Sequence, residues 1–348
     1  MNIDLNSKEL SYSGRIDMEN PARPEFIFPA SSLRFSFIGR SAKITVSNRH
    51  GYWKNVLGAI VDGVQKRYDL WDEKVTEILL LDEAAEGEHD IMIFKRMDGC
   101  HELILESLEL SEGSRLLPAP EKPKRRIEVY GDSVSAGEVT EAVHCIGRED
   151  PEHNGEFSNS WYSYAWMTAR KLNAQIHDIA QGGMALLDKT GWYQEPDAIG
   201  MESVWDKVHY NPAFGRQTKW DFSRYTPQVV IVALGQNDSH PVDYMRKDPD
   251  GDRAQHWKEQ YEAFLRKLRQ QYPAAHIVCC TTLLEHDGAW DLAIGQVCRK
   301  MADENVTHYV FRRNGTGTPG HLRIPEAEEM AEELAAYLED LEIEGWND

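Results

Sequence analysis

The sequence predicts an α/β protein in two parts. An N-terminal all-β sandwich, jelly-roll-like, precedes a three-layer α/β/α domain built on a parallel sheet. Three observations predict it. Up to about Glu112 the apolar runs are short, regularly spaced and separated by turns, the pattern of a sandwich. After Arg126, strand-like runs alternate with segments of helical period, which implies a parallel sheet covered on both faces. Between them "LLPAPEKPKRR", Leu116 to Arg126, holds three prolines and a basic cluster. It reads as an extended linker, because a residue before proline is pushed out of the helical region. The predicted boundaries are therefore 1–115, 116–126 and 127–348. A length of 348 residues suits two cores better than one.

The elements justify that reading in order. "EFIF" (Glu25 to Phe28), "LRFSFIG" (Leu33 to Gly39) and "AKITVSN" (Ala42 to Asn48) are the first strand candidates, with apolar alternation at Leu33, Phe35 and Phe37. "GAIVDG" (Gly58 to Gly63), "VTEILLL" (Val75 to Leu81), "HDIMIFKRM" (His89 to Met97) and "ELILESLEL" (Glu102 to Leu110) follow. In the second part the strand candidates are "IEVY" (Ile127 to Tyr130), "QIHDIA" (Gln175 to Ala180), "VVIVAL" (Val229 to Leu234), "HIVCCTTL" (His276 to Leu283) and "THYVF" (Thr307 to Phe311). Helices are predicted over Trp161 to Leu172, Trp257 to Tyr272, Asp291 to Asn305 and Pro325 to Leu341. The last has Ala327, Met330, Ala331, Leu334 and Leu338 on one face, with Pro325 and Glu326 suited to its first turn.

Composition narrows the partners. Against 38 basic residues stand 58 acidic ones, for a formal net charge of −20. Coulomb repulsion then opposes nucleic acid, anionic membranes and polyanionic substrates. The start, "MNIDLNSKEL", has neither the basic nor the apolar region of a signal peptide, and no apolar run is long enough to span a bilayer. Five cysteines, none in a C-x-x-C pair, read as reduced thiols rather than disulfides or a zinc site. A cytoplasmic location is the expectation, and the sequence leaves the oligomeric state open.

In a parallel sheet, ligands bind outside the carboxyl ends of the strands. Three polar breaks fall at such ends: Gly131-Asp132-Ser133, Gly182-Gly183, and "GQND" from Gly235 to Asp238. Each alone is an ordinary turn signal, but together they carry one chemistry. Acyl transfer needs a hydroxyl nucleophile, a base for its proton, and donors aimed at an oxyanion. Ser133 supplies the hydroxyl; its own N–H, that of Gly183 and the Asn237 amide are candidate donors. Of the 13 histidines, His321 stands in a Gly/Pro-rich loop after the last strand, from which it can swing over Ser133 as the base. This chemistry calls for no metal and no organic cofactor. Asp132 is expected to bond local backbone.

The order "YGDSVSAG", a glycine turn, "ALGQND" and a late histidine resembles the SGNH (GDSL) hydrolases over roughly Ile127 to Leu341. The resemblance implies that Ser133, Gly183, Asn237 and His321 act as nucleophile, two oxyanion donors and base. Gly182 is the fallback for the second role, because "QGGMALL" permits a one-residue shift. One position departs: the family's D-x-x-H aspartate is Thr318 here, in "TPGH". A backbone carbonyl, a carboxylate from elsewhere (Asp287 and Asp291 being the nearest suppliers), or a bare Ser-His dyad are the alternatives.

A β-sandwich ahead of such a domain, with an unusual partner for the histidine, is similar to carbohydrate esterase family 2. That resemblance implies a serine esterase removing acetyl groups from neutral carbohydrates such as acetylated xylo- or manno-oligosaccharides. Trp192, Tyr193, Trp205, Tyr210 and Trp220 lie between the glycine and asparagine blocks, and aromatic faces in loops suit the apolar faces of sugar rings. Trp192, Tyr193, Trp205 and Trp220 are expected to bind substrate, against the alternative that they pack an insertion onto the sheet. A general lipase or thioesterase, and a non-catalytic carbohydrate-binding protein, are the rival functions.

Overall fold

The structure is a computed structural model describing residues 1–70 and 75–347. The N-terminal part is a sandwich of two antiparallel sheets. One runs Ile16–Asp17, Glu25–Phe26, His101–Leu110, Ala42–His50, Val75–Leu81, with Asn2–Ile3 beside His101–Leu110. The other runs Arg115–Leu116, Ser32–Gly39, Gly87–Lys95, Asn55–Val61, Val64–Leu70, with Ser11–Ser13 beside Ser32–Gly39. The alternation seen in the sequence has its cause here: Leu33, Phe35 and Phe37 are fully buried between the sheets with Ile44, Val46 and Ile91. Burying each such side chain contributes about 1.5–3 kcal/mol. The strand Val64–Leu70 escaped the sequence reading because it is an edge strand with mostly exposed, polar side chains, the kind of edge that discourages further pairing.

The second part is a five-stranded parallel sheet. Its spatial order is Ala174–Ala180, Arg125–Gly131, Val229–Ala233, His276–Cys280, Val306–His308. In chain order that is 2-1-3-4-5, so the connections leave the first and third strands in opposite directions. The crevice at this reversal, outside the strands' carboxyl ends, is where open α/β sheets bind ligands. Ser133 follows the first strand and Asn237 the third, so the topology alone brings them together. Helices Tyr164–Lys171 and Ile324–Glu339 pack against each other, and Asp252–Gln271 packs with Ala289–Met301, giving the two covering layers in separate apolar clusters. The helix expected from Trp161 is broken at Ser163, whose hydroxyl accepts from Trp166 N and caps a helix beginning at Tyr164. No helix among the described residues is long and apolar enough to cross a membrane.

The two parts interlock through buried charge. Arg15 of the sandwich is fully buried, 3.3 Å from Glu128 of the first parallel strand, and donates to the Trp205 carbonyl at 2.7 Å. His209, also fully buried, bonds Glu102 at 2.7 Å and Asp17 at 2.9 Å.

Candidate active site

Ser133 opens a one-turn helix, Ser133–Ala136, straight from the first parallel strand. Asp132 caps it, accepting from Val134 N at 3.0 Å, and Gly137 ends it at φ +80°. Gly131 leaves the space into which the turn folds: a Cβ there would lie 2.1 Å from Ser135 Oγ. Ser135 itself is turned inward, bonded to the Tyr164 hydroxyl at 2.8 Å.

His321 reaches Ser133. Its Nε2 is 2.7 Å from Ser133 Oγ. The loop carrying it is pinned to the end of the fourth strand, with Gly315 N on Thr282 O, Gly317 N on Leu283 O and Glu285 N on Thr318 O. The Thr318 hydroxyl is buried and bonds nothing among the described residues.

The carboxylate missing from position 318 comes from another loop. Asp150 Oδ2 accepts from His321 Nδ1 at 2.6 Å, and its Oδ1 accepts from His321 N at 2.9 Å. Gly320 makes this possible, since a Cβ there would stand 2.6 Å from Asp150 Oδ1. Arg323, fully buried, braces both loops: it lies 3.0 Å from Asp150 Oδ1 and donates to the carbonyls of Arg148, Glu149 and His321. Burial opposes the Asp150 charge, but hydrogen bonds from His153 and His321 and the charge of Arg323 outweigh it and hold the carboxyl well below its ordinary range. Sequence reasoning missed Asp150; its only signal was a polar stretch without apolar period after the nucleophile turn, "GREDPEHNGEFSN". The two suppliers expected instead are occupied elsewhere. Asp291 holds His286 at 3.0 Å and Thr281 at 2.6 Å, while Asp287 faces Arg246.

The donor side is partly committed. Gly182 N donates to Asp98 Oδ2 at 2.8 Å, whereas Gly183 N has no acceptor among the described residues. Gly183 sits at φ +71°, where a Cβ would meet Trp192 Cβ at 2.8 Å. The Asn237 amide nitrogen is directed at Asp132 Oδ2, 2.9 Å, and at Met184 O, 3.2 Å. Asp132 also accepts from Gln236 Nε2 at 2.6 Å, so it reaches beyond the local backbone expected for it. Asp238, buried and pushed up to about 7 by that burial, accepts from Leu186 N and Leu187 N and ties the glycine loop to the third strand.

The aromatic residues divide. Trp192 is 56% exposed and stacks on His240 with centroids 3.4 Å apart. Tyr193, Tyr210 and Trp220 are buried in the core, and Trp205 packs against it and Phe222. Burial takes Tyr193 and Trp220 out of reach of a substrate, so the substrate-binding role expected of them is corrected to packing, while Trp205 is half-buried. Trp192 is the most exposed of the five. The sandwich adds Trp53, whose ring lies 5.8 Å from that of His153.

Among the described residues, three sets of side chains stand close enough to share a cation: Asp150, His153 and His321; Asp17, Glu25 and His209; Asp98, Cys100 and His101. Each already has a cationic neighbour. Arg323 serves the first, Arg216 the second, and buried Lys95, donating to the Asp98 carbonyl, the third.

A parallel-sheet fold with a serine, a histidine and a carboxylate hydrogen-bonded in line at its switch point defines a protein of the serine-hydrolase class. The comparisons with known proteins give the family. Residues 129–318 match the GDSL-like Lipase/Acylhydrolase family, to which this chain belongs, and residues 12–120 match the Carbohydrate esterase 2 N-terminal family. Cellulase/esterase CelE of Acetivibrio thermocellus is 28% identical over 97% of this chain, which spans 40% of that protein's length. The acetylxylan esterase / glucomannan deacetylase of Cellvibrio japonicus is also 28% identical, over 97% of this chain and 90% of that protein. Among solved structures, a family two carbohydrate esterase from Clostridium thermocellum in complex with cellohexaose superposes with TM-score 0.79 at 28% identity, covering 95% of this chain and 98% of that one. One from Cellvibrio japonicus gives 0.82 at 25% identity, covering 97% and 96%.

Proposed function

We propose that this chain is a serine esterase that removes O-acetyl groups from short neutral carbohydrates, acetylated xylo- or manno-oligosaccharides being the first candidates. The observation that carries the reading is the hydrogen-bonded line from Ser133 Oγ through His321 to Asp150. Asp150 accepts the Nδ1–H, which leaves Nε2 as the basic nitrogen facing the serine. Ser133 Oγ attacks the acetyl carbonyl while His321 Nε2 takes its proton. The oxyanion forms against the N–H groups of Ser133 and Gly183, and Asn237 joins them by giving up its longer contact with Met184 O. Collapse expels the sugar oxygen, which receives the proton from His321. Water then attacks the acetyl-serine, again deprotonated by His321, and acetate leaves as Ser133 is restored.

The relatives' names support the acyl group and the carbohydrate class, and the acidic surface favours neutral substrates over charged ones. Acetate release from a panel of acetylated oligosaccharides, beside p-nitrophenyl acetate and butyrate, tests the reading. Ser133→Ala should lower turnover by several orders of magnitude with an unchanged melting temperature. Asn237→Ala should lower kcat by about 10²–10³-fold at steady KM. Turnover of longer acyl chains without acetate release from any sugar would replace deacetylation with general lipase action.

A further inference from the structure

The sandwich sends one carboxylate into the acyl-transfer site. Asp98 follows the strand Gly87–Lys95 and is 1% exposed. Three N–H groups donate to its carboxylate. Oδ1 accepts from Cys100 N at 3.1 Å, and Oδ2 accepts from Gln181 Nε2 at 2.6 Å and Gly182 N at 2.8 Å. Gln181 Nε2 in turn donates to Gly182 O at 3.2 Å. That carbonyl belongs to the peptide whose N–H is that of Gly183. In a trans peptide the two point in opposite directions, so fixing the carbonyl fixes the N–H.

Other contacts keep this turn from relaxing. Gly99 N donates to Ala180 O at 3.2 Å, joining the sandwich loop to the end of the second parallel strand. Gly99 has no room for a side chain, since a Cβ would overlap the Tyr210 hydroxyl at 1.8 Å, and that hydroxyl donates to Gln181 Oε1 at 2.9 Å. Glu138, on the loop after the nucleophile helix, brings Oε1 to within 1.9 Å of the place a Gly182 Cβ would take. Burial and the facing Asp98 carboxylate push the Glu138 carboxyl well up, toward its protonated form. Nucleophile loop, glycine turn and sandwich thus meet at Asp98.

We propose that Asp98 is a positioning residue for acyl transfer: through Gln181 and Gly182 it orients the peptide whose N–H, at Gly183, is presented to the oxyanion. The sandwich is then part of the catalytic apparatus as well as a neighbour of the hydrolase sheet. The inference rests on the acyl-transfer reading above, and Ser133→Ala separates the two. If Ser133→Ala retains activity, that reading falls. If Ser133→Ala is inactive and Asp98 proves dispensable, only this inference falls.

Asp98→Asn in the full chain is the test. An amide cannot accept on both sides, so either Cys100 N or the Gln181-Gly182 pair faces another donor. Displacing a reacting or stabilising group by ~1 Å costs about 10²-fold, and that is the expected fall in kcat for p-nitrophenyl acetate. KM should stay within about threefold, since a donor to the oxyanion contributes little to ground-state binding. Affinity for a phenylboronic acid, which forms a tetrahedral adduct on Ser133, should weaken by about the same ~10²-fold as kcat. An unchanged kcat overturns the proposal, and so does a loss in kcat with undiminished boronate affinity or a rise confined to KM. If Asp98→Asn does not fold, Tyr210→Phe carries the test. It frees one side of Gln181, and should lower kcat and boronate affinity together by about fivefold, the order of one neutral hydrogen bond; no change in either overturns the proposal.

Discussion

Replacing Asp150 by asparagine should cost about three to four orders of magnitude in kcat, by two routes that the geometry separates. The carboxylate is 2.6 Å from His321 Nδ1, with side chains only 17% and 15% exposed. When His321 takes the serine proton it becomes cationic, and a charge pair about 4 Å between centres at an effective dielectric near 20 is worth ~4 kcal/mol. At 1.36 kcal/mol per decade this is about 10³-fold. The second route is the tautomer. If the new NH₂ faces Nδ1, the imidazole must carry its proton on Nε2 and cannot accept one from Ser133; the same exchange in the serine protease triad costs about 10⁴-fold. If the amide turns the other way, its NH₂ meets His321 N–H and the Arg323 guanidinium. Initial rates with p-nitrophenyl acetate near neutral pH, with KM and the melting temperature measured on the same preparations, make the comparison. A loss under about tenfold, equivalent to ~1.4 kcal/mol, would refute the reasoning and return the site to a Ser-His dyad.

Three further outcomes are expected. Trp192→Ala should leave p-nitrophenyl acetate hydrolysis and the melting temperature unchanged but raise KM for acetylated oligosaccharides by about tenfold, because the ring is exposed and is held by its stack on His240; equal KM values would remove it from the substrate surface. Thr318→Ala should hold kcat within about threefold of wild type by steady-state assay, since the hydroxyl it removes bonds nothing among the described residues. For His209→Gln, thermal melts against pH are the measurement. Burial opposes the His209 charge, but hydrogen bonds to Asp17 and Glu102 outweigh it and raise its pKa despite Arg216 nearby. A raised folded pKa gives stability fully present below the unfolded value near 6.5 and lost as pH rises through the folded one. The gap between wild type and variant should therefore be wider at about pH 5.5 than at about pH 9; a gap independent of pH would show that His209 is buried neutral. Asp17, held at about 2 by its bond to His209, keeps its own charge throughout that range.

Much of this was legible because periodicity is a local property that burial enforces. Leu33, Phe35 and Phe37 alternate because one face of their strand is the sandwich core, and Met330, Leu334 and Leu338 recur because one stripe of their helix is buried. The placement of Ser133, Gly183, Asn237 and His321 at one edge of the sheet was legible for a different reason. Each ends a strand or sits in a loop after the last one, and a parallel sheet gathers such positions at one edge. Asp150 was not, since one carboxylate among 58 acidic residues carries no local mark and its partner lies 171 residues away. The aromatic cluster misled for a related reason. A tryptophan in a loop looks the same in sequence whether its face meets solvent, like Trp192, or a neighbouring layer, like Trp220.

The separation of Asp150 from His321 has a structural consequence of its own. With D-x-x-H on one loop, the carboxylate and the imidazole move together whatever that loop does. Here they arrive on different loops, and any relative motion lengthens the 2.6 Å contact on which the tautomer depends. Three features oppose such motion. Gly320 lets Asp150 reach the main chain as well as the ring of His321, so the two loops share a pair of bonds rather than one. Arg323 ties the carbonyls of Arg148, Glu149 and His321 to a single rigid guanidinium, which it can do only because it is buried and charged beside Asp150. Its five donors sit in a fixed fork that a lysine could not reproduce. His153 bonds the same Oδ2 at 3.1 Å from the Asp150 side, so the carboxylate is held on its own loop before it meets the base. Orientation that a single loop would supply by covalent connection is supplied here by a buried charge network, in which Arg323 and Gly320 bring Asp150 onto His321 with threonine at position 318.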